Sequence, residues 1–289
     1  MITDFDHVAL MVRDLDETVE AYRTLLGREP NWRGTLEGAR HAWFQLPNMA
    51  LDINAPHGEG HAAEEMRAQL DKWGEGIWGI GFAVADLEAA TRTLERRGVA
   101  LFPPGVTHSQ GDNGKERSWR IAIARRNSTH GLAQFFVERA PDATPWPISS
   151  PTGAEDAAIA GLDHVVIRTP NADRAAAHYG ARLGLDLRLD RSNEQWGSRL
   201  LFFRCGGLIV EIGASLKTPS SDGKDTFGGL AWRVRDAGAV HARLGAAGFE
   251  VSELRKGRKP GTRVFTVRAR TANIPTLMLE AGHNPVAEP

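Results

Sequence analysis

The sequence predicts an α+β fold built from four copies of one strand–helix–three-strand module, and three observations predict it. The first is a long repeat. Ile2-Thr-Asp-Phe-Asp-His7-Val-Ala-Leu-Met-Val12 resembles Ile159-Ala-Gly-Leu-Asp-His164-Val-Val-Ile-Arg-Thr169. The match continues without a gap, so that Tyr22 falls on Tyr179, Leu26 on Leu183 and Gly27 on Gly184, a tandem duplication with a period near 157 residues. The second is that each half is itself double. Gly79-Ile-Gly-Phe-Ala-Val-Ala-Asp86 resembles Gly229-Leu-Ala-Trp-Arg-Val-Arg-Asp236, and Asp14, Asp86 and Asp236 coincide. The modules start near residues 2, 77, 159 and 227. The third is the change of period inside a module, from a short apolar run to helical spacing and back.

His7-Val-Ala-Leu-Met-Val12 is short and mostly apolar, as a buried strand is. Asp14 stands where an N-cap belongs, because its carboxylate accepts from the free amides of a first helical turn. Leu15, Val19, Tyr22 and Leu26 follow at helical spacing, and Gly27 supplies the C-terminal cap. Three strands then follow, ending at Ala50-Leu-Asp52-Ile. Module three repeats the helix with Asp173, Ala176, Tyr179, Leu183 and Gly184, and module four with Asp236 to Ala247 before Gly248. Pro56 to Gly76 adds an extra helix over Ala62–Trp73. The chain is thus expected to divide into 1–140 (modules 2–56 and 77–139), a linker over 141–158, and 159–282 (modules 159–215 and 227–281). The Pro/Ser/Thr-rich stretch Ala140 to Ala154 marks the linker, and a loose tail is expected after Gly282.

The 289 residues suit about two domains at ~100–200 residues each. With 35 basic and 36 acidic side chains there is no global field to hold nucleic acid or an anionic membrane. No run approaches the ~18 apolar residues of a spanning helix, and the acidic start has no signal-peptide pattern, so a cytoplasmic protein is expected. The one cysteine, Cys205, lies in an apolar run and reads as a core thiol.

Four such modules in pairs, with Asp-His-Val opening strands, resemble the vicinal oxygen chelate (glyoxalase / bleomycin-resistance / extradiol dioxygenase) superfamily. Gly229 to Asp236 and Asn127-Ser-Thr-His-Gly131-Leu are similar to strands of methylmalonyl-CoA epimerases; the four-module length is similar to extradiol dioxygenases. The resemblance implies two glyoxalase-like domains, each an eight-stranded open cup, with metal ligands on the first and last strand of each module. Carried over, the metal pair is His164 and Glu211 in the second cup, with His7 and Asp52 as a second candidate pair in the first. Imidazole and carboxylate suit a divalent ion such as Fe, Mn, Zn or Ni. Modules two and four depart from the pattern: the first-strand position falls on Gly79 and Gly229, which cannot ligate. Gln134 serves only if the register slips by one, and Glu138 or Glu280 only if a strand bends. His7 and His164 equally admit a buried, hydrogen-bonded role.

Five cations fall between Arg255 and Arg263 in a Gly/Pro-rich turn. Arg258, Lys259 and Arg263 are the candidates to bind a carboxylate or phosphate, against the alternative of a solvated turn. Trp196 and Trp232 are candidates for the aromatic wall of the second cup, with core packing as the alternative. His108 reads as an exposed loop residue that stands where a lid could be, and His130 as a turn residue without a role. The leading expectation is a metal-dependent enzyme, ring-cleaving or glyoxalase-like, acting on a small oxygen-bearing, aromatic or carboxylated substrate. The alternative is a metal-free small-molecule binder of the resistance type. No nucleic-acid or membrane partner is expected, and a homodimer is compatible with the sequence.

Overall fold

The computed structural model describes residues 1–139 and 146–282. Module one is β1 (Ile2–Met11), α1 (Leu15–Leu26), β2 (Trp32–Leu36), β3 (Ala39–Gln45) and β4 (Ala50–Pro56). The extra helix, α2 (His61–Trp73), leads to module two: β5 (Gly76–Val84), α3 (Leu87–Arg96), β6 (Gly105–Gly111), β7 (Glu116–Ile123) and β8 (Ala133–Glu138). Module three is β9 (Ile159–Arg168), α4 (Ala172–Ala176), β10 (Asp186–Asn193), β11 (Ser198–Cys205) and β12 (Leu208–Ser215). Module four is β13 (Thr226–Val234), α5 (Ala237–Ala246), β14 (Arg255–Lys256), β15 (Arg263–Val267) and β16 (Thr276–Glu280). The start of the linker and the tail beyond Gly282 lie outside the described residues.

The helix caps follow the chemistry of their residues. Asp14, Asp86 and Asp236 each accept from backbone amides of the first turn that follows. In module three the cap is Asn171, and Asp173 sits inside the first turn. That helix has five residues before it widens into a π-turn over Ala177–Arg182. The widening turns His178 and Tyr179 into the core.

The halves differ in closure. Each has eight strands, and in each the first strand pairs in parallel with the last strand of its own module. The N-terminal half closes into a barrel, because β2 pairs with β6 through Gly34↔Gly111 and Thr35↔Gln110. Closure requires the glycines: a Cβ on Gly34 would lie 2.4 Å from the Gln110 carbonyl, and one on Gly111 would lie 2.6 Å from Trp32. The C-terminal half is an open sheet in the order β10-β11-β12-β9-β13-β16-β15-β14. Its edge strands do not pair, and β14 is only two residues long. The expected open cup therefore describes the second half, while the first is sealed.

A single hydrophobic core joins the outer faces of both sheets and the helices between them, from Val8, Tyr22 and Phe82 to Val165, Trp232 and Phe265. Buried Arg28 ties the halves, donating to the Ile159 and Ser149 carbonyls at 2.8 and 2.9 Å and to Glu155 at 2.6 Å. Among the described residues no helix is long and apolar enough to cross a membrane.

Candidate functional site

The first cup is full. The His7 ring stacks on Phe135 with centroids 5.8 Å apart and planes 11° apart. It lies against Gly81, where a Cβ would be 2.4 Å from the ring. Phe135 in turn lies over Gly79, where a Cβ would be 2.6 Å from its ring. The two glycines are thus space for the rings of His7 and Phe135. The register Gly81↔Phe135 gives Phe135 the place on β8 that Asp52 has on β4, opposite Ala9. An aromatic ring stands where a fourth ligand would.

Asp52 belongs to a different network. Its carboxylate meets His41 Nδ1 at 2.8 Å, His41 Nε2 meets Ser109 Oγ at 2.7 Å, and Trp32 Nε1 donates to the same Oγ at 2.8 Å. The chain runs through β4, β3, β6 and β2, across the seam that closes the barrel. His7 turns its Nδ1 to Asp6 at 2.7 Å, and Asp6 is held by Arg139 at 3.0 Å. Burial pushes the Asp6 carboxyl up, but Arg139 and His7 together outweigh it and hold it below its ordinary value. Of the second candidate pair, His7 thus meets Asp6 and Asp52 meets His41, in two separate networks. The remaining space holds Trp43, Trp119 and Trp146, with Arg117 stacked between Trp32 at 4.1 Å and Trp146 at 3.8 Å. Met66 and Leu70 of α2 pack on Met11 and Ala39 at one barrel end.

The second cup is open. His164 lies on β9 opposite Ile209, and Glu211 on β12 lies opposite Val166 two residues on, so both face the cup. His164 Nε2 stands 3.5 Å from Glu211 Oε2, and the two side chains are 16% and 19% exposed. Phe202 lies opposite Glu211, and Leu189 opposite Phe202, adding apolar surface. His164 Nδ1 donates to Asp163 at 3.0 Å, and Arg233 Nε donates to Asp163 at 2.9 Å. Burial raises the Asp163 carboxyl, but the bonds from His164 and Arg233 outweigh it and hold it at about 2. In the tautomer with the proton on Nδ1, toward Asp163, the Nε2 lone pair faces Glu211.

The predicted binding residues separate. Arg258 lies 4.2 Å over the exposed Trp196 ring, joining the β14–β15 turn to the β10–β11 turn at the two open edges of the cup. Lys259 is exposed on the same turn. Arg263 is corrected: it pairs with Glu280 at 2.5 Å, and Glu280 also accepts from the Ala237 amide at the start of α5. Trp232 is corrected as well. It is fully buried in the core on the opposite face of β13. Gln134 also faces the core, bonded to His178 at 3.0 Å and Tyr179 at 3.2 Å. Glu138 receives the Leu87 amide and Arg120, so, like Glu280, it caps a helix. His108 is on strand β6 and exposed, and His130 is in a turn. By register Leu277, opposite Ala231, holds the module-four place of Glu211. Among the described residues no group of three His, Cys, Asp or Glu side chains converges.

Sequence reasoning missed His41, Ser109, Arg233 and the roles of Asp6 and Asp163. The repeated Asp-His pair carried a signal for the last two, since a carboxylate beside a histidine can orient it. His41 and Trp43 alternate on β3, which points both inward.

A model described as a glyoxalase-like domain matches residues 5–160. A second, described as the glyoxalase/bleomycin resistance protein/dioxygenase superfamily, matches residues 163–266. The chain belongs to this superfamily, the vicinal oxygen chelate group, with two domains of its fold. No curated protein matches it by sequence. Among solved structures it resembles a triple mutant of 4-hydroxymandelate synthase from Streptomyces coelicolor, with 13% identity over 96% of this chain and 92% of that one and a TM-score of 0.70. It also resembles the Mn(II)-bound glyoxalase from Novosphingobium aromaticivorans, with 14% identity over 96% and 82% and a TM-score of 0.66. At these identities the likeness is one of fold.

Proposed function

We propose that this chain is a metal-dependent enzyme of the superfamily whose reacting centre is the second cup, acting on a small oxygen-bearing anion. One observation carries the reading. His164 Nε2 and Glu211 Oε2 converge at 3.5 Å on the open face of the cup, while His164 Nδ1 meets Asp163 at 3.0 Å. In the tautomer with its proton on Nδ1, Nε2 and Glu211 are two facing acceptors that a cation between them satisfies. Their separation suits neighbouring ligands of one transition-metal ion, each at ~2.0–2.2 Å.

The pair fits as two ligands and no more, so the other positions fall to water and substrate oxygens. A bound divalent ion would supply polarisation of a substrate carbonyl or hydroxyl oxygen. The chain supplies orientation. Asp163, held by Arg233, fixes the imidazole plane. The Arg258 guanidinium at the rim presents paired donors to a substrate carboxylate or phosphate, and the Trp196 ring, with Leu189 and Phe202, takes an apolar body. The folds of the hydroxymandelate synthase and glyoxalase support an enzyme rather than a carrier.

The test is titration of chelator-treated protein with Mn, Fe, Zn and Ni ions by calorimetry. His164→Ala and Glu211→Gln should each weaken binding by about tenfold or more, and His7→Ala should leave it unchanged. Loss only in His7→Ala, or equal binding in all variants, refutes the assignment. The second reading is a metal-free binder, favoured by Gly229 and Leu277 at the module-four positions. It predicts no cation binding at the second cup and saturable binding of aromatic carboxylates in the presence of chelator.

A further inference from the structure

A cavity of about 750 Å³ opens at the seam between the halves, bordered by Trp78, which packs on Phe135 of the first cup, and by Gly229 of the second half. The C-terminal end of α2 and the start of β5 form one wall; the start of β13 and the turn before β16 form the other. Trp78, Ile77 and Leu132 line it from the first half, and Phe227, Ile274 and Pro275 from the second. Its size lies within the roughly 300–1,000 Å³ of small-molecule sites.

The lining carries three carboxylates, Glu65, Glu75 and Asp225, and three cations, Lys72, Arg126 and Lys224. Glu75 accepts the Arg13 amide at 2.7 Å, Asp225 Oδ1 accepts Arg174 and Thr169 at 2.7 Å each while its buried Oδ2 has no partner, and Glu65 accepts Gln69 at 3.3 Å. Arg126 makes only long hydrogen bonds to neutral oxygens, 3.3 Å to the Gly131 carbonyl and 3.5 Å to Gln69. Lys224 lays its stem on Gly131 and, among the described residues, forms no ion pair. Trp78 Nε1 is enclosed without a hydrogen-bond partner.

Backbone strain gathers at the same place. Four non-glycine residues have positive φ: His130 at 56°, Arg270 at 60°, Ala272 at 50° and Asn273 at 60°. All four lie on the two turns that reach the cavity through Gly131 and Asn273. Strained turns persist where the surroundings over-determine them, and they cluster at binding sites.

We propose that this seam is a second ligand site, taking a flat apolar or aromatic molecule that carries one acidic group. The ring system lies between Trp78 and the Phe227–Ile274 wall, and the acidic group meets Arg126 and Lys224. Such a ligand touches both halves and binds independently of the second cup.

The probe is anilinonaphthalene sulfonate, with neutral phenylnaphthylamine as its uncharged counterpart, each titrated by fluorescence. The sulfonate should bind the wild-type chain more tightly than the neutral dye. Arg126→Gln/Lys224→Gln should weaken the sulfonate about tenfold, leaving the neutral dye unchanged and so removing the preference. Arg258→Gln, on the second cup, should leave the part of the sulfonate binding that depends on Arg126 and Lys224 unchanged. Lys224 is exposed, so Lys224→Gln alone is a folded variant that should show a smaller loss in the same direction. An unchanged sulfonate affinity in both variants, or loss of that same part in Arg258→Gln, overturns the proposal.

Discussion

Replacing His41 by leucine tests whether Asp52 serves the barrel seam. The substitution removes two hydrogen bonds, 2.8 Å to Asp52 and 2.7 Å to Ser109. The first is to a carboxylate and contributes ~1.5–3 kcal/mol; the second contributes about 1 kcal/mol. Asp52, only 6% exposed, is left without its donor, which adds a desolvation cost. The expected loss is therefore about 3–5 kcal/mol, a large share of the ~5–15 kcal/mol of a typical domain. Asp52→Leu strands the His41 N–H instead and should cost about 1–3 kcal/mol. The double variant removes both partners, so its loss should fall short of the sum by about 2 kcal/mol. Guanidinium unfolding followed by tryptophan fluorescence reads this directly, because Trp32, Trp43 and Trp119 lie in the same barrel. Additivity within about 0.5 kcal/mol would falsify the coupling. Cation binding lost in Asp52→Leu but kept in His164→Ala would return Asp52 to a ligand role.

Three further outcomes are expected. Burial and the nearby Asp4 charge push the Cys205 thiol up to about 12, so a thiol-specific disulfide reagent at pH 8 should label the chain only after denaturation; stoichiometric native labelling contradicts the buried position. The Asp163 carboxyl is held at about 2, below its ordinary 3.8, so its contribution is complete above about pH 4 and is lost as pH falls through about 2. Asp163→Asn should cost up to about 2 kcal/mol at neutral pH in urea unfolding and remove that part of the acid sensitivity; an unchanged midpoint and pH profile refute it. Burial also pushes the His178 imidazole down to about 3, below an ordinary 6.5. Its contribution to stability is therefore full above about pH 6.5 and declines as pH falls toward 3, and His178→Gln should flatten thermal melting against pH in that window. A His178 titration near 6.5, followed by magnetic resonance of the ring protons, is the contrary result.

Much of the fold was legible because its signals are local. Asp14, Asp86 and Asp236 announce helix starts within four residues, and the repeats, Asp-His-Val in modules one and three and the Gly79 and Gly229 runs in modules two and four, place four equivalent first strands without reference to any partner. The pairing of His164 with Glu211 was implied by the family resemblance, and the parallel register brings the two to one face. Asn171 shows the limit of such reading: an acidic residue two positions on looked like the cap, and the hydrogen bond went to the residue at the right backbone geometry.

What only the tertiary structure decided concerns volume and partners far apart in sequence. No local pattern states that the first cup closes. That depends on Gly34 meeting Gly111, 77 positions away, at a distance no side chain would allow. Nor does a pattern state that Phe135 fills the place of a ligand, that Asp52 turns to His41, or that Trp232 faces the core. Each follows from which strand is opposite and how much space remains beside it. The chain alone determined that the modules pair into two eight-stranded halves. Packing determined that the first is filled by its own aromatic side chains and that the second stays open, because only there do the edge strands fail to meet.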